Sequence, residues 1–260
     1  MNATALFLVT HGSSDRRSWL ALQNFVAVTQ SRINKYSDDY GDRYISGGCL
    51  EGQELTLSQQ LEQFAAEVIP DGVSEIVILP LFLLEGVHVS EDIPKQVAIA
   101  EIKLTKKFPD KFPDKLSDRS SDRSIFRIKA HVGTDNQIPT LLLQHFEKYS
   151  DESSLEKQGR ILLAHGSRRF GANQVVEDLA IQSQAIAAYW GVEPKIETQI
   201  ENFLAQGFRK INVLPYFLTE GGITEAITNK LKPYRDRIQI QQLPVPLSNE
   251  QIVDFALKLI

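Results

Sequence analysis

Hydrophobic positions along this chain fall into two alternating kinds of segment. Short unbroken apolar runs stand at 5–10, about 44–50, 75–81 and 125–130, and again at 160–164, about 192–197, 210–216 and 237–242. Runs of this length suit strands of a parallel sheet, whose two covered faces abolish the in–out alternation of a half-exposed strand. Between them the apolar residues recur at helical spacing, as in Trp19, Leu20, Leu22, Phe25 and Val26, and in Leu57, Leu61, Phe64, Ala65 and Val68. In the second half the same spacing predicts helices at 171–189, 197–206, 223–232 and 248–259. Strand alternating with helix predicts parallel sheets joined by right-handed crossovers, an α/β fold.

The pattern occurs twice. Ala5-Leu6-Phe7-Leu8-Val9-Thr10-His11-Gly12-Ser13 is matched by Ile161-Leu162-Leu163-Ala164-His165-Gly166-Ser167, each an apolar run ending in His-Gly-Ser. Further on, ILPLFLLEG (78–86) is matched by VLPYFLTEG (213–221), with seven of nine positions identical or both aliphatic. Two different motifs in the same order in both halves predict two tandem doubly wound domains, one over 1–150 and a degenerate repeat over 151–260. Residues 105–124 interrupt the first copy with TKKFPDKFPDKLSDRSSDRS. That stretch carries too little apolar surface to offset chain entropy, and is expected to be a flexible insert.

Composition narrows the setting. The 260 residues are 42% hydrophobic and 23% charged, ordinary for a globular chain and wrong for a disordered or fibrous one. The net charge of −5 argues against a nucleic-acid-coating surface. The single cysteine, Cys49, cannot close an intrachain disulfide, which suits a reducing compartment. No apolar run approaches the roughly 18 residues of a membrane span, and the start lacks a basic leader. A cytoplasmic protein without membrane or nucleic-acid partners is expected; oligomeric state is left open.

The chemistry rests on histidines. Of the five, His11 ends the first strand and His88 follows the third by a few residues, so both fall on the rim where ligands of parallel α/β sheets bind. Glu51, at the end of the second strand, belongs to the same rim. Two imidazoles with a carboxylate suggest a divalent metal site or a proton relay. Gly86 would let a ligand approach the backbone, and Ser90 is expected to cap a helix holding Glu91, Asp92 and Pro94 in its first turn. In the second copy His165 matches His11, but Ile223 stands where His88 would. Isoleucine neither ligates metal nor moves protons, so the first copy is expected to carry the activity. His131 and His145 read as core or surface histidines. No phosphate-binding loop or dinucleotide fingerprint competes.

Val9-Thr10-His11-Gly12-Ser13, then Pro80-Leu81-Phe82-Leu83 and Gly86-Val87-His88-Val89-Ser90-Glu91-Asp92-Ile93-Pro94, resemble the CbiX/SirB family of sirohydrochlorin chelatases. The resemblance covers both halves and departs in the 105–124 insert and in Ser14, where many members carry Arg. It implies a class II chelatase fold with the active site in a cleft between the domains, and insertion of Fe²⁺ or Co²⁺ into sirohydrochlorin for sirohaem or cobalamin synthesis. By the same match His11 and His88 would hold the metal and accept the pyrrole protons, with Glu51 as third ligand. The metal would be a substrate, with no permanently bound cofactor. Ser13, Arg16, Arg17, Gly86, Arg168 and Arg169 would meet the macrocycle, the arginines its edge carboxylates. Three alternatives stay open: another tetrapyrrole ferrochelatase, a non-catalytic metal or tetrapyrrole carrier, and a hydrolase using Ser13. The last lacks a nucleophile elbow.

Overall fold

The computed structural model describes residues 3–36, 44–109, 124–150 and 157–260. The chain divides into two compact units, one formed by residues 1–134 with 249–260 and the other by 135–248. In the first, β1 (Ala3–Gly12), β2 (Ile45–Glu51), β3 (Val73–Pro80) and β4 (Phe126–Ile128) form a parallel sheet in the order β2-β1-β3-β4. In the second, β5 (Gln158–Ala164), β6 (Ile186–Tyr189), β7 (Lys210–Pro215) and β8 (Gln239–Gln242) repeat it as β6-β5-β7-β8. Both halves are therefore parallel-sheet α/β units, as the alternation of strand and helix requires.

The unbroken apolar runs are explained by burial on two faces. Ala5, Phe7 and Val9 of β1 join Ile76 and Ile78 of β3 under α2 (Leu57–Val68) and α3 (Ile93–Lys107). Their neighbours Leu6 and Leu8, equally buried, face the opposite layer. There Leu22 and Val26 of α1 (Arg16–Tyr36) lie so close to Gly47 of β2 that a Cβ would stand 2.8 Å from the Leu22 Cδ1. Each such side chain contributes roughly 1.5–3 kcal/mol through removal from water. Helix α2 begins where the sequence says it should. The Thr56 side chain accepts from the Gln59 N–H while the Gln59 side chain accepts from the Thr56 N–H, a capping box. Glutamines partner two of the edge strands, β2 and β6: Gln60 bonds both the N–H and the C=O of Cys49, and Gln199 donates to the Ala187 carbonyl.

Five expectations need correction. The helix expected over 171–189 is only α5 (Gln174–Gln182), and the strand expected near 192–197 lies earlier, as β6. The Ala185 N–H donates to Ala180 O and Gln184 takes φ 56, a left-handed stop that ends the helix. Alanines 187 and 188 favour helix intrinsically, but pairing of Ile186–Tyr189 with Ile161–Ala164 overrides that preference. The expected insert is shortened at its start, because α3 runs to Lys107; its residues 110–123 lie outside the described residues.

The domain boundary expected at 150 also moves, and it moves by helices. Helix α4 (Ile138–Lys148) packs on α5 in the second unit, where Asn212 donates to the Tyr149 carbonyl. Helix α8 (Asn249–Leu257), the last of the second copy in sequence, packs on α1 in the first unit, and Arg32 pairs with Asp254 at 3.2 Å. Apolar spacing shows that a helix has a face to bury, not which sheet it covers. Finally, Ser90 does not cap a helix; its hydroxyl donates back to Gly86 O. Among the described residues no helix is long and apolar enough to cross a membrane.

Candidate functional site

Strand β1 carries its apolar run to Val9 and then delivers His11, exposed, at the carboxyl rim of the sheet. The chain must turn at once, and Gly12, at φ 79, does so while its backbone stays in register with Glu51 of β2. From the neighbouring β3 the chain passes Phe82 and enters a single wide π-turn, His88–Asp92, in which the Ile93 N–H reaches back five residues to His88 O. Such turns are rare and concentrate at functional sites. Here the turn leads into α3 and presents His88 at the rim.

The two histidines, 77 positions apart in sequence, meet: Nε2 of His11 lies 3.0 Å from Nε2 of His88, with ring planes 85° apart. The other nitrogens are occupied. His11 Nδ1 stands 2.8 Å from the Gly12 carbonyl oxygen, and His88 Nδ1 stands 2.8 Å from Asp92 Oδ2. Both partners only accept, so the neutral tautomers assigned from them carry hydrogen on Nδ1 and leave both Nε2 lone pairs facing one another. Two lone pairs 3.0 Å apart repel unless a positive particle sits between them. A proton would serve. So would a metal ion: two bonds of about 2.1 Å meeting at a right angle span roughly 3.0 Å. The Phe82 ring, 6.5 Å from His88, and the exposed Val87 give the rim an apolar margin.

The remaining residues named from sequence fall out unevenly. Glu51 ends β2 with its side chain exposed and its backbone opposite Gly12, yet among the described residues no three His, Cys, Asp or Glu form a group able to hold a metal. The Ser13 hydroxyl accepts the Asp15 N–H at 3.1 Å, closing a turn. Neither nitrogen of His11 contacts Ser13, so the nucleophile–base pair a hydrolase needs is not formed. Arg16 is exposed, whereas Arg17 is drawn to Asp15 at 2.7 Å and its guanidinium holds the Asp15 carboxyl below the usual carboxylate range. A Cβ on Gly86 would meet open space. In the second unit His165, Arg168 and Arg169 are exposed around the matching turn.

Ile223 packs against that unit's apolar core, and α7 (Gly222–Leu231) starts as a regular α-helix with no π-turn. His131 is buried with Nδ1 3.1 Å from Phe82 O, and half-buried His145 meets Pro244 O, its pKa pushed down by burial. Asp92, whose carboxylate meets His88 Nδ1, is a side chain that sequence reasoning placed otherwise, as a charge in a helical first turn. Its spacing of four from His88 was the available signal.

The CbiX family model matches residues 5–149 and 159–254. The chain belongs to the CbiX family. A sirohydrochlorin cobaltochelatase of Methanosarcina barkeri is 34% identical over 62 residues, 24% of this chain and 45% of that one. One of Methanopyrus kandleri is 33% identical over 96 residues, 36% of this chain and 59% of its own. The chain thus spans about half the length of the curated relatives it matches. SirB from Bacillus subtilis with Fe³⁺ superposes with a TM-score of 0.72 over 99% of this chain and 94% of that one, at 18% identity, which establishes the shared fold.

Proposed function

We propose that this CbiX-family chain is a chelatase that inserts a divalent metal ion, Fe²⁺ or Co²⁺, into sirohydrochlorin. The observation that carries the reading is the rim pair, with Nε2 of His11 and of His88 3.0 Å apart and both Nδ1 atoms engaged. Metallation releases two pyrrole N–H protons as the ion enters the macrocycle, so the site must supply bases as well as ligands. Imidazole does both. A site with few protein ligands also holds the ion weakly enough to surrender it, where a closed four-ligand site would trap it.

Exposed Val87 and the Phe82 ring beside His88 suit a flat, apolar macrocycle centre. Ser13, Arg16, Arg17 and Gly86 are proposed to meet its periphery, with Arg17 first having to leave Asp15. Glu51 is proposed as a third, oxygen ligand on the strength of its register beside Gly12. The ion is a substrate, with no resident cofactor in this reading. A reducing, cytoplasmic setting suits the buried Cys49.

The test is an absorbance assay of purified protein with sirohydrochlorin and either Fe²⁺ or Co²⁺. Conversion well above the protein-free rate is expected with at least one ion. No acceleration with either would end the reading, and tight binding without turnover would make the protein a carrier. His165→Ala is expected to change the rate by no more than a few-fold, since its partner position holds Ile223. Damage equal to loss of His11 would show that the second repeat takes part in the chemistry.

A further inference from the structure

We propose that Asp92 is a positioning residue for metal delivery: its carboxylate fixes the tautomer and ring orientation of His88, so that His88 presents a bare Nε2 to His11 and to the incoming ion. The inference rests on the reading above and names a residue acting through His88, not on the substrate.

Three observations carry it. First, Asp92 Oδ2 lies 2.8 Å from His88 Nδ1, within one turn of the chain. A carboxylate accepts and cannot donate, so this contact selects the Nδ1–H form and withdraws the alternative in which Nε2 carries the hydrogen and is useless as a ligand. Second, the contact is made inside the π-turn, where the i,i+4 pair is set by a widened backbone; the Asp92 side chain itself is 42% exposed and adds nothing to the core. A merely structural carboxylate has no need of that placement. Third, the degenerate repeat loses both members together. Aligning Gly86 with Gly221 puts Ile223 at the position of His88 and Ile227 at that of Asp92. Both isoleucines join the apolar core of the second unit, and the π-turn has reverted to ordinary helix. A carboxylate serving solubility or helix capping has no reason to disappear with the histidine.

The arrangement also explains an asymmetry in the pair. His11 is held by a main-chain carbonyl, which no substitution at that position removes, whereas His88 depends on a side chain. Partners of this kind typically alter metal affinity by about 10–100-fold when removed.

The experiment uses the full chain without tetrapyrrole. Long-range ¹H–¹⁵N spectra of histidine-labelled protein report which nitrogen of His88 bears hydrogen, and titration with Co²⁺ alone reports the affinity of the pair. In the unsubstituted protein Nδ1–H is expected. In Asp92→Asn, whose amide can also donate, a mixture or a switch to Nε2–H is expected, with Co²⁺ affinity lowered about 10–100-fold. Asp92→Ala carries the same expectation, so one poorly folding variant does not remove the test. Asp92→Glu, which keeps a carboxylate, should recover part of the affinity. Persistence of the original tautomer in Asp92→Asn and Asp92→Ala, or Co²⁺ affinity unchanged in both, overturns the inference. Failure of the chelatase reading shows elsewhere, as absence of metal insertion by the unsubstituted protein.

Discussion

His88→Ala is expected to lower metal insertion by roughly 10²–10⁴-fold, the range typical for loss of a positioned acid–base group, while leaving the protein folded. The two halves of that expectation have separate causes. Activity falls because the site is a pair: with His88 gone, the His11 Nε2 has no partner 3.0 Å away, and neither a shared proton nor a two-nitrogen grip on an ion is possible. Stability is spared because the side chain of His88 is 36% exposed and its bonded partner, Asp92, is more exposed still. Rim substitutions of this kind usually stay within about 0.5 kcal/mol. Parallel measurement of turnover and of the thermal midpoint decides. An active His88→Ala protein would mean that the pair is not the reaction centre, and an unfolded one would leave His88→Gln to carry the comparison.

How much of this was legible in the sequence depends on what each residue answers to. Strands β1, β3, β5 and β7 were read almost to their ends, because a central parallel strand is apolar on both faces and nothing else in the chain resembles it. Strand β6 was not, since Ile186-Ala187-Ala188-Tyr189 is a good helical sequence that becomes a strand only by pairing with β5. Helix α8 was found and then given to the second repeat, whereas it packs in the first unit: an amphipathic stripe states a need for cover without saying where the cover lies. In the site, the meeting of His11 and His88 was accessible because topology places every strand's carboxyl end on one rim. The π-turn was not, because a widened turn leaves no periodicity of its own in the Val87–Asp92 run, and with it went the role of Asp92. Glu51 marks the limit of rim reasoning. Sharing a rim puts its backbone one residue from His11, but whether the carboxylate closes a triad depends on a rotamer that strand position does not determine.

A tight constraint on the site lies in the main chain beside His11. Gly12→Ala is expected to destabilise the protein by about 2–5 kcal/mol, combining the cost of a left-handed alanine with overpacking. At φ 79 a side chain is already disfavoured, and an ideal Cβ would fall 2.1 Å from the carbonyl oxygen of Glu51 and 2.7 Å from the Cys49 Cβ. Neither neighbour is a flexible tip. Glu51 O belongs to the backbone of β2, held in register with β1 from Leu6–Ile45 to Gly12–Glu51, so relief requires the two strand ends to part. Gly72 separates the two contributions. It has φ 91 but nothing within 4 Å of a Cβ, so Gly72→Ala should cost only the conformational share, roughly 1–2 kcal/mol. Thermal or denaturant unfolding of the two variants measures the difference. Equal losses would mean that the β1–β2 approach is slack. A larger loss at Gly12, accompanied by weakened Co²⁺ binding, would show that the same close contact also aims His11, because the carbonyl that fixes its Nδ1 is that of Gly12 itself.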